Sequence, residues 1–187
     1  MPVLGVIASS ITANLAPFGY SSIATTTLGS ATPSVTFNNI SQGFKHLQIR
    51  MYGRTDRSYS GNPYDGVNLK YNGNYATKGH GIAAHDNLAA PSAYAESYLA
   101  FLPDTGGSLN ANVFGAFIID VLDYSKANKS KTTRFFGGFS ANGSQYGAIS
   151  LASNLHASTS PVTSITLEVA FGTNFLAGSR FALYGIK

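Results

Sequence analysis

The chain has 187 residues and no cysteine; 44% of it is apolar, only 11% is charged, and the formal net charge is +4. That length suits one compact domain with a short arm, and the lack of cysteine excludes disulfides and thiolate metal sites. Charge well below the roughly 25% of ordinary soluble domains is unlike a cytosolic enzyme and leaves Ser, Thr, Asn, Gln and Tyr to solvate the surface.

Glycine is frequent, Phe and Tyr together number 23, and helix formers are sparse, a balance that predicts an all-β protein. Residues 1–19 are an apolar arm. Val3, Ile7, Ile11 and Leu15 recur every fourth residue, which would line one helical face, yet β-branched residues make an extended strand an equal alternative. The arm lacks a basic leading region, so it is read as retained structure and not as a signal peptide. Packing on its own domain and anchoring in an assembly both stay open for it. Val3, Leu4, Ile7, Ile11 and Leu15 are the candidate anchor residues.

A single domain, residues 20–187, follows. Residues 20–30 read as a Thr-rich strand. Residues 34–57, SVTFNNISQGFKHLQIRMYGRTDR, read as an antiparallel hairpin. Val35 and Phe37 alternate with polar residues in its first strand. Leu47, Ile49 and Met51 alternate with Gln48, Arg50 and Tyr52 in its second, which commits the first three to a core and leaves the other three to solvent or an interface. Val67, Leu69 and Tyr71 alternate in a strand that ends at Asn72-Gly73, a two-residue hairpin signal.

Residues 78–91 read as irregular, and residues 94–102 as a strand in preference to a short helix. The nearly continuous apolar run 113–122 predicts a strand buried on both faces. A polar turn, 123–131, precedes a strand in which Thr133, Phe135 and Phe139 share a face. Asn142-Gly143 signals a further hairpin, with 146–151 as its returning strand. Ile165, Leu167, Val169 and Phe171 alternate cleanly, and residues 180–187 close the chain as a strand. Eight or nine strands at this spacing predict a jelly-roll-like antiparallel β-sandwich.

Motifs for chemistry are weak. Gly79-His80-Gly81-Ile82-Ala83-Ala84 has the form of a dinucleotide fingerprint but follows no convincing strand and opens no helix, so it reads as a loop. His80, His85 and Asp86, with Asp65, lack the spacing of a metal site and read as surface residues. His46 and His156 receive no role. Asp120 and Asp123 flank the end of a strand, where satisfying backbone groups is the ordinary use of a carboxylate. There is no nucleophile elbow. No enzyme, cofactor or metal is expected.

Lys126, Lys129 and Lys131 make the nearest approach to a basic run, read as a solvated loop. No nucleic-acid partner is expected, and no apolar run approaches the roughly twenty residues of a spanning helix, so no membrane insertion is expected either. Tyr59, Tyr64, Tyr71 and Tyr75 lie among Ser, Gly and Asn, the mixture of adaptable binding loops. They are candidate contacts for a receptor or glycan, against a plain packing role.

Four stretches, SVTFNNISQGFKHLQIRMYGRTDR, NVFGAFIIDVLDYSKANKSKTTR, SPVTSITLEV and NFLAGSRFALYGIK, resemble a family of small tailed-bacteriophage virion proteins. Similar segments occur as C-terminal modules of phage tail fibres. The resemblance runs from about residue 23 to the end, the terminal LYGIK is its most specific piece, and VLGVIASSITANL resembles the arm of free-standing members. It implies a non-enzymatic virion component, a tail or tail-fibre part or a capsid decoration protein at the particle surface. Its implied partners are further copies of itself, trimeric as such proteins often are, and other virion proteins. An adhesin module binding a host-surface glycan is the alternative. No catalytic or binding residue transfers with it.

Overall fold

The computed structural model describes residues 19–58, 64–76, 78–85, 92–94, 101–105, 112–141 and 147–187. The anchor residues Val3, Leu4, Ile7, Ile11 and Leu15 lie outside them, as do Tyr59, Asp86 and the Asn142-Gly143 pair. Among the described residues there are thirteen strands and no helix. They are β1 (Tyr20–Thr27), β2 (Ser34–Phe37), β3 (His46–Gly53), β4 (Tyr64–Tyr71), β5 (Asn74–Tyr75), β6 (Lys78–His85), β7 (Ser92–Tyr94), β8 (Phe101–Pro103), β9 (Gly115–Leu122), β10 (Lys131–Ser140), β11 (Gly147–His156), β12 (Ile165–Val169) and β13 (Arg180–Ile186).

Every pairing is antiparallel. One sheet has eight strands in the order β1-β13-β3-β9-β10-β11-β6-β7. The other has five: β2-β12-β4-β5 run in sequence, and β8 pairs with β4. The two sheets form an all-β sandwich, the class expected from the alternation. Its single main core takes Val35, Phe37, Leu69, Tyr71, Ile165 and Leu167 from the small sheet. Against them pack Leu47, Ile49, Ile119, Phe135, Phe181 and Leu183 from the large one. Each such side chain stabilises the fold by about 1.5–3 kcal/mol when fully buried.

The segment 34–57 is not a hairpin. β2 pairs with β12 in the small sheet, whereas β3 lies between β13 and β9 in the large one. Their apolar sides face each other across the core. A tight hairpin needs a two-residue turn, and the eight residues 38–45 are long enough to cross the roughly 10 Å between packed sheets. The crossing is pinned along its length. The Ile40 amide donates to the Thr163 carbonyl at 3.0 Å, Gln42 Nε2 donates to the carbonyls of Ile40 and Val162, and the Tyr124 hydroxyl donates to the Ser41 carbonyl.

Other expectations meet the structure as follows. Asn72 and Gly73 have φ of 50° and 82°, the pair of positive values that a type I′ turn requires, and they join β4 to β5. Residues 78–85 are not a loop but strand β6. Gly79 is needed there because a Cβ would lie 2.0 Å from the side-chain oxygen of buried Asn154. β9 is not buried on both faces. It alternates, with Phe117, Ile119 and Val121 inward and Ile118 outward.

Candidate functional site

The outward residues of the large sheet can be placed by register alone, because alternate residues share a face and paired residues stand side by side. One row across the sheet reads Arg50, Ile118, Phe136, Leu151, Ile82, on β3, β9, β10, β11 and β6. Four large apolar side chains therefore stand shoulder to shoulder in water: Ile118, Phe136, Leu151 and Ile82 are 43–53% exposed. A single-sided antiparallel sheet normally turns polar residues outward. Here the inward face is largely apolar as expected, and the outward face carries an apolar row as well.

The neighbouring row reads Tyr52, Ala116, Gly138, Ile149, Ala84 on the same strands. Its small members, Ala116, Gly138 and Ala84, lie lower than the ridge, and Ile149, itself exposed, stands between the last two. Gly137 and Gly138 are imposed by the backbone: a Cβ on Gly137 would lie 2.2 Å from the Ala116 carbonyl oxygen, and one on Gly138 would lie 2.1 Å from that of Ala148. β10 is thus clasped between β9 and β11 more tightly than a side chain allows.

On the ridge's other side the row is polar: Gln48, Asp120, Arg134, Ser153, His80. Arg50 Nε donates to Gln48 Oε1 at 3.0 Å, and Gln48 Nε2 donates to Asp120 Oδ1 at 2.9 Å. Arg134 approaches the same carboxylate at 3.5 Å. The Arg50 guanidinium also lies over the rings of Tyr184 and Tyr20, at 5.0 and 5.5 Å. Both charge signs rim the apolar strip.

The tyrosines chosen from sequence do not come together as one site. Tyr71 is no surface contact: it is fully buried, and its hydroxyl is hydrogen-bonded to that of Thr133. Burial pushes its pKa up, the bond to Thr133 only partly opposing. Period two had already put Tyr71 on the core side of β4 with Val67 and Leu69. Tyr64 is half-buried and packs edge-on against Phe101 at 4.7 Å. Tyr75 is exposed; its hydroxyl donates to Glu168 Oε1 at 2.5 Å, and Lys70 Nζ lies 4.4 Å from its ring centre. Lys70 also bonds Glu168 Oε2 at 2.8 Å. Burial would push the Glu168 carboxyl up, but the bonds from Lys70 and Tyr75 hold it below its usual range.

Among the described residues no group of three or more His, Cys, Asp or Glu is placed to hold a metal ion. His80 stands on the outer face of β6, whereas Asp65 is buried in β4 and accepts the amides of Phe171 and Gly172 at 3.0 and 2.9 Å. Burial raises the Asp65 pKa, with those amides opposing. Asp56 clasps the same loop, accepting from the amides of Thr173 and Asn174. Asp123 has a φ of 51° in the turn after β9 and pairs with Lys129 at 3.0 Å. The Asp123 amide in turn donates to His46 Nδ1. His156 is buried edge-on to Tyr71.

Lys131 does not belong to a solvated loop, the role expected of it with Lys126 and Lys129. It is fully buried, and its ammonium donates to the carbonyls of Lys126, Lys129 and Thr159 at 2.5, 2.6 and 3.0 Å.

The ridge itself was missed. Its signal was present in two places, the run FIID whose apolar residues occupy successive positions, and β11, where Ile149, Leu151 and Leu155 alternate with inward Ala148, Ser150, Ala152 and Asn154. Comparison of the chain with protein-family models, curated proteins and solved structures finds no match.

Proposed function

We propose that this chain is a non-enzymatic structural protein of a bacteriophage particle, meeting other virion proteins through the outer face of its large sheet. One observation carries the reading. An exposed apolar strip, continuous over four strands and rimmed by polar residues, is the mark of a protein interaction surface. The resemblance that ends in LYGIK supplies the kind of assembly. The arm, with Val3, Leu4, Ile7, Ile11 and Leu15, is the second anchor in this reading.

The test is incorporation. Particles assembled with the Phe136→Asp chain, or with residues 2–15 deleted, are purified and the copies per particle are counted by quantitative mass spectrometry. At least a tenfold loss is expected for each. Full incorporation of the Phe136→Asp chain removes the face from the reading, and full incorporation of the deletion removes the arm. Absence of the wild-type chain from purified particles removes the virion role altogether.

A second reading, an adhesin for host glycans, draws on Tyr75. Its ring is 44% exposed with Lys70 and Glu168 at its edge, an aromatic plate beside polar groups. Tyr71 contributes nothing to it. Tyr75→Ala abolishes adsorption to host cells or glycan arrays in this reading, and a blank screen with the wild-type chain ends it.

A further inference from the structure

We infer that a cleft over β3 and β13, on the outer face of the large sheet, binds a sugar ring bearing a carboxylate, the uronic acid unit of an acidic polysaccharide. The site uses neither the apolar row nor Tyr75, so it stands apart from both readings above.

Register builds the cleft. β13 runs antiparallel to β3, with Arg180 opposite Tyr52, Ala182 opposite Arg50 and Tyr184 opposite Gln48. The outward side chain at the centre, Ala182, is a single methyl group and is buried by the longer ones around it. What they enclose is a cleft of about 210 Å³, lined by Ala182, Arg50, Arg180, Tyr52 and Tyr184. Sites for drug-sized ligands hold roughly 300–1,000 Å³. This one has room for a single ring and its substituents.

Charge selects the ligand. Arg50 and Arg180 are diagonal neighbours, a relation that sets their Cα atoms about 7–8 Å apart. Neither pairs with a carboxylate among the described residues. Asp120, in register with Gln48, is held by Gln48 and Arg134. Two like charges side by side repel, and an anion between them turns that repulsion into attraction. Arg50 is also held in place, its Nε bonded to Gln48 Oε1 and its guanidinium over the rings of Tyr184 and Tyr20. Little side-chain freedom is left for it to lose on meeting a carboxylate, which a guanidinium grips through two parallel hydrogen bonds.

The ring has its own support. Tyr52 is 47% exposed and stacked on Phe114, with centroids 4.8 Å apart and planes 12° apart. A tyrosine backed by a second ring is a rigid plate for the C–H face of a sugar. Nucleic acid also stacks on aromatic plates, but it needs a basic track along its backbone. No such track leaves this cleft: the face continues as Thr25 and Thr27 on β1, and as Ile118 and Asp120 on β9.

Saturation-transfer NMR on the full 187-residue chain, with sodium glucuronate and with trigalacturonate, tests this. A uronate unit has about thirteen heavy atoms, and at the efficiency ordinary for small ligands its dissociation constant is about 1 mM. Glucose and the methyl ester of glucuronate, similar rings without the charge, bind at least about tenfold more weakly. Raising salt from about 50 to 500 mM weakens the binding of glucuronate. Arg180→Gln and Tyr52→Ala each raise the dissociation constant about tenfold. Arg180 is exposed and outside any ion pair, so the melting temperature of Arg180→Gln stays within about 2 °C of the wild type. Tyr75→Ala binds as the wild type does.

No transfer to either uronate at about 20 mM, well above the expected constant, overturns the inference, as does equal binding of glucose or the ester. Acetate that displaces glucuronate at equal concentration leaves a bare anion site and overturns the sugar. Wild-type affinity in both Arg180→Gln and Tyr52→Ala puts the ligand elsewhere, and loss of binding in Tyr75→Ala gives it to Tyr75; either result overturns the cleft. A thymidine oligonucleotide that displaces glucuronate at micromolar concentration makes this a nucleic-acid site and overturns the inference too.

Discussion

Replacing Lys131 by Met isolates one unusual feature of the core. The substitution keeps the unbranched apolar stem and deletes the ammonium. Three carbonyls, those of Lys126, Lys129 and Thr159, then lose their donor. A hydrogen bond to a charged group contributes about 1.5–3 kcal/mol, so the three together would reach about 4.5–9 kcal/mol if nothing compensated. Two effects reduce this. Removing the ammonium relieves a desolvation penalty of several kcal/mol. Residues 126–130, on the exposed turn before β10, can also rotate two of the carbonyls towards water. A net loss of about 2–3 kcal/mol remains. For a chain of this length that lowers the melting temperature by about 5–10 °C. Urea unfolding followed by circular dichroism at neutral pH measures it, with an unchanged slope confirming that the denatured state is unaffected. If Lys131→Met is as stable as the wild type or more so, the ammonium is no keystone. Its burial would then resemble those buried ion groups that apolar residues replace at no loss.

Tyr71→Phe removes the hydroxyl shared with Thr133 in the core. It lowers stability by about 1–2 kcal/mol in the same assay and leaves adsorption to host cells unchanged; a binding loss at full stability would contradict the buried placement. Gly137→Ala forces a Cβ against the Ala116 carbonyl and Phe117. A loss of more than about 3 kcal/mol is expected, and a soluble variant melting near the wild type would show that β9 and β10 can separate. Burial pushes the Asp56 carboxyl up, but the amide and side chain of Asn174 and the amide of Thr173 hold it below its ordinary 3.8. Its contribution is therefore complete above that pH and is lost as pH falls through the lower folded value. Asp56→Asn lowers stability at pH 7 by about 1 kcal/mol, discounted for its partial exposure, and flattens the acid limb of a melting-temperature profile from pH 6 to 2. An acid limb identical to the wild type's refutes the role.

Much of this fold was legible in one dimension. Period-two alternation is a property of adjacent residues, and it placed Leu47, Ile49, Met51, Val67, Leu69, Ile165 and Leu167 on the core side, where they lie. Asn72-Gly73 was legible too, since positive φ at both turn positions depends only on those two residues. Alternation nevertheless speaks of one strand at a time and names no partner. That is why β2 and β3, consecutive and both alternating, look like a hairpin in sequence although they belong to opposite sheets. Tyr71 likewise resembles its neighbours Tyr64 and Tyr75 in sequence, although its own strand's period faces it inward.

Composition and local pattern suffice for the class of this protein: low charge, frequent turns and alternating short runs can bury enough apolar surface only as packed antiparallel sheets. What the second face of the large sheet presents depends on strand order and register. Ile118, Phe136, Leu151 and Ile82 are scattered over about seventy positions, and in the sequence each looks like one more core residue. Strand order and register bring them into a single row, and a sheet has two faces of which the small sheet covers only one. The row on the other face is left in water, where the free energy of covering it favours a partner.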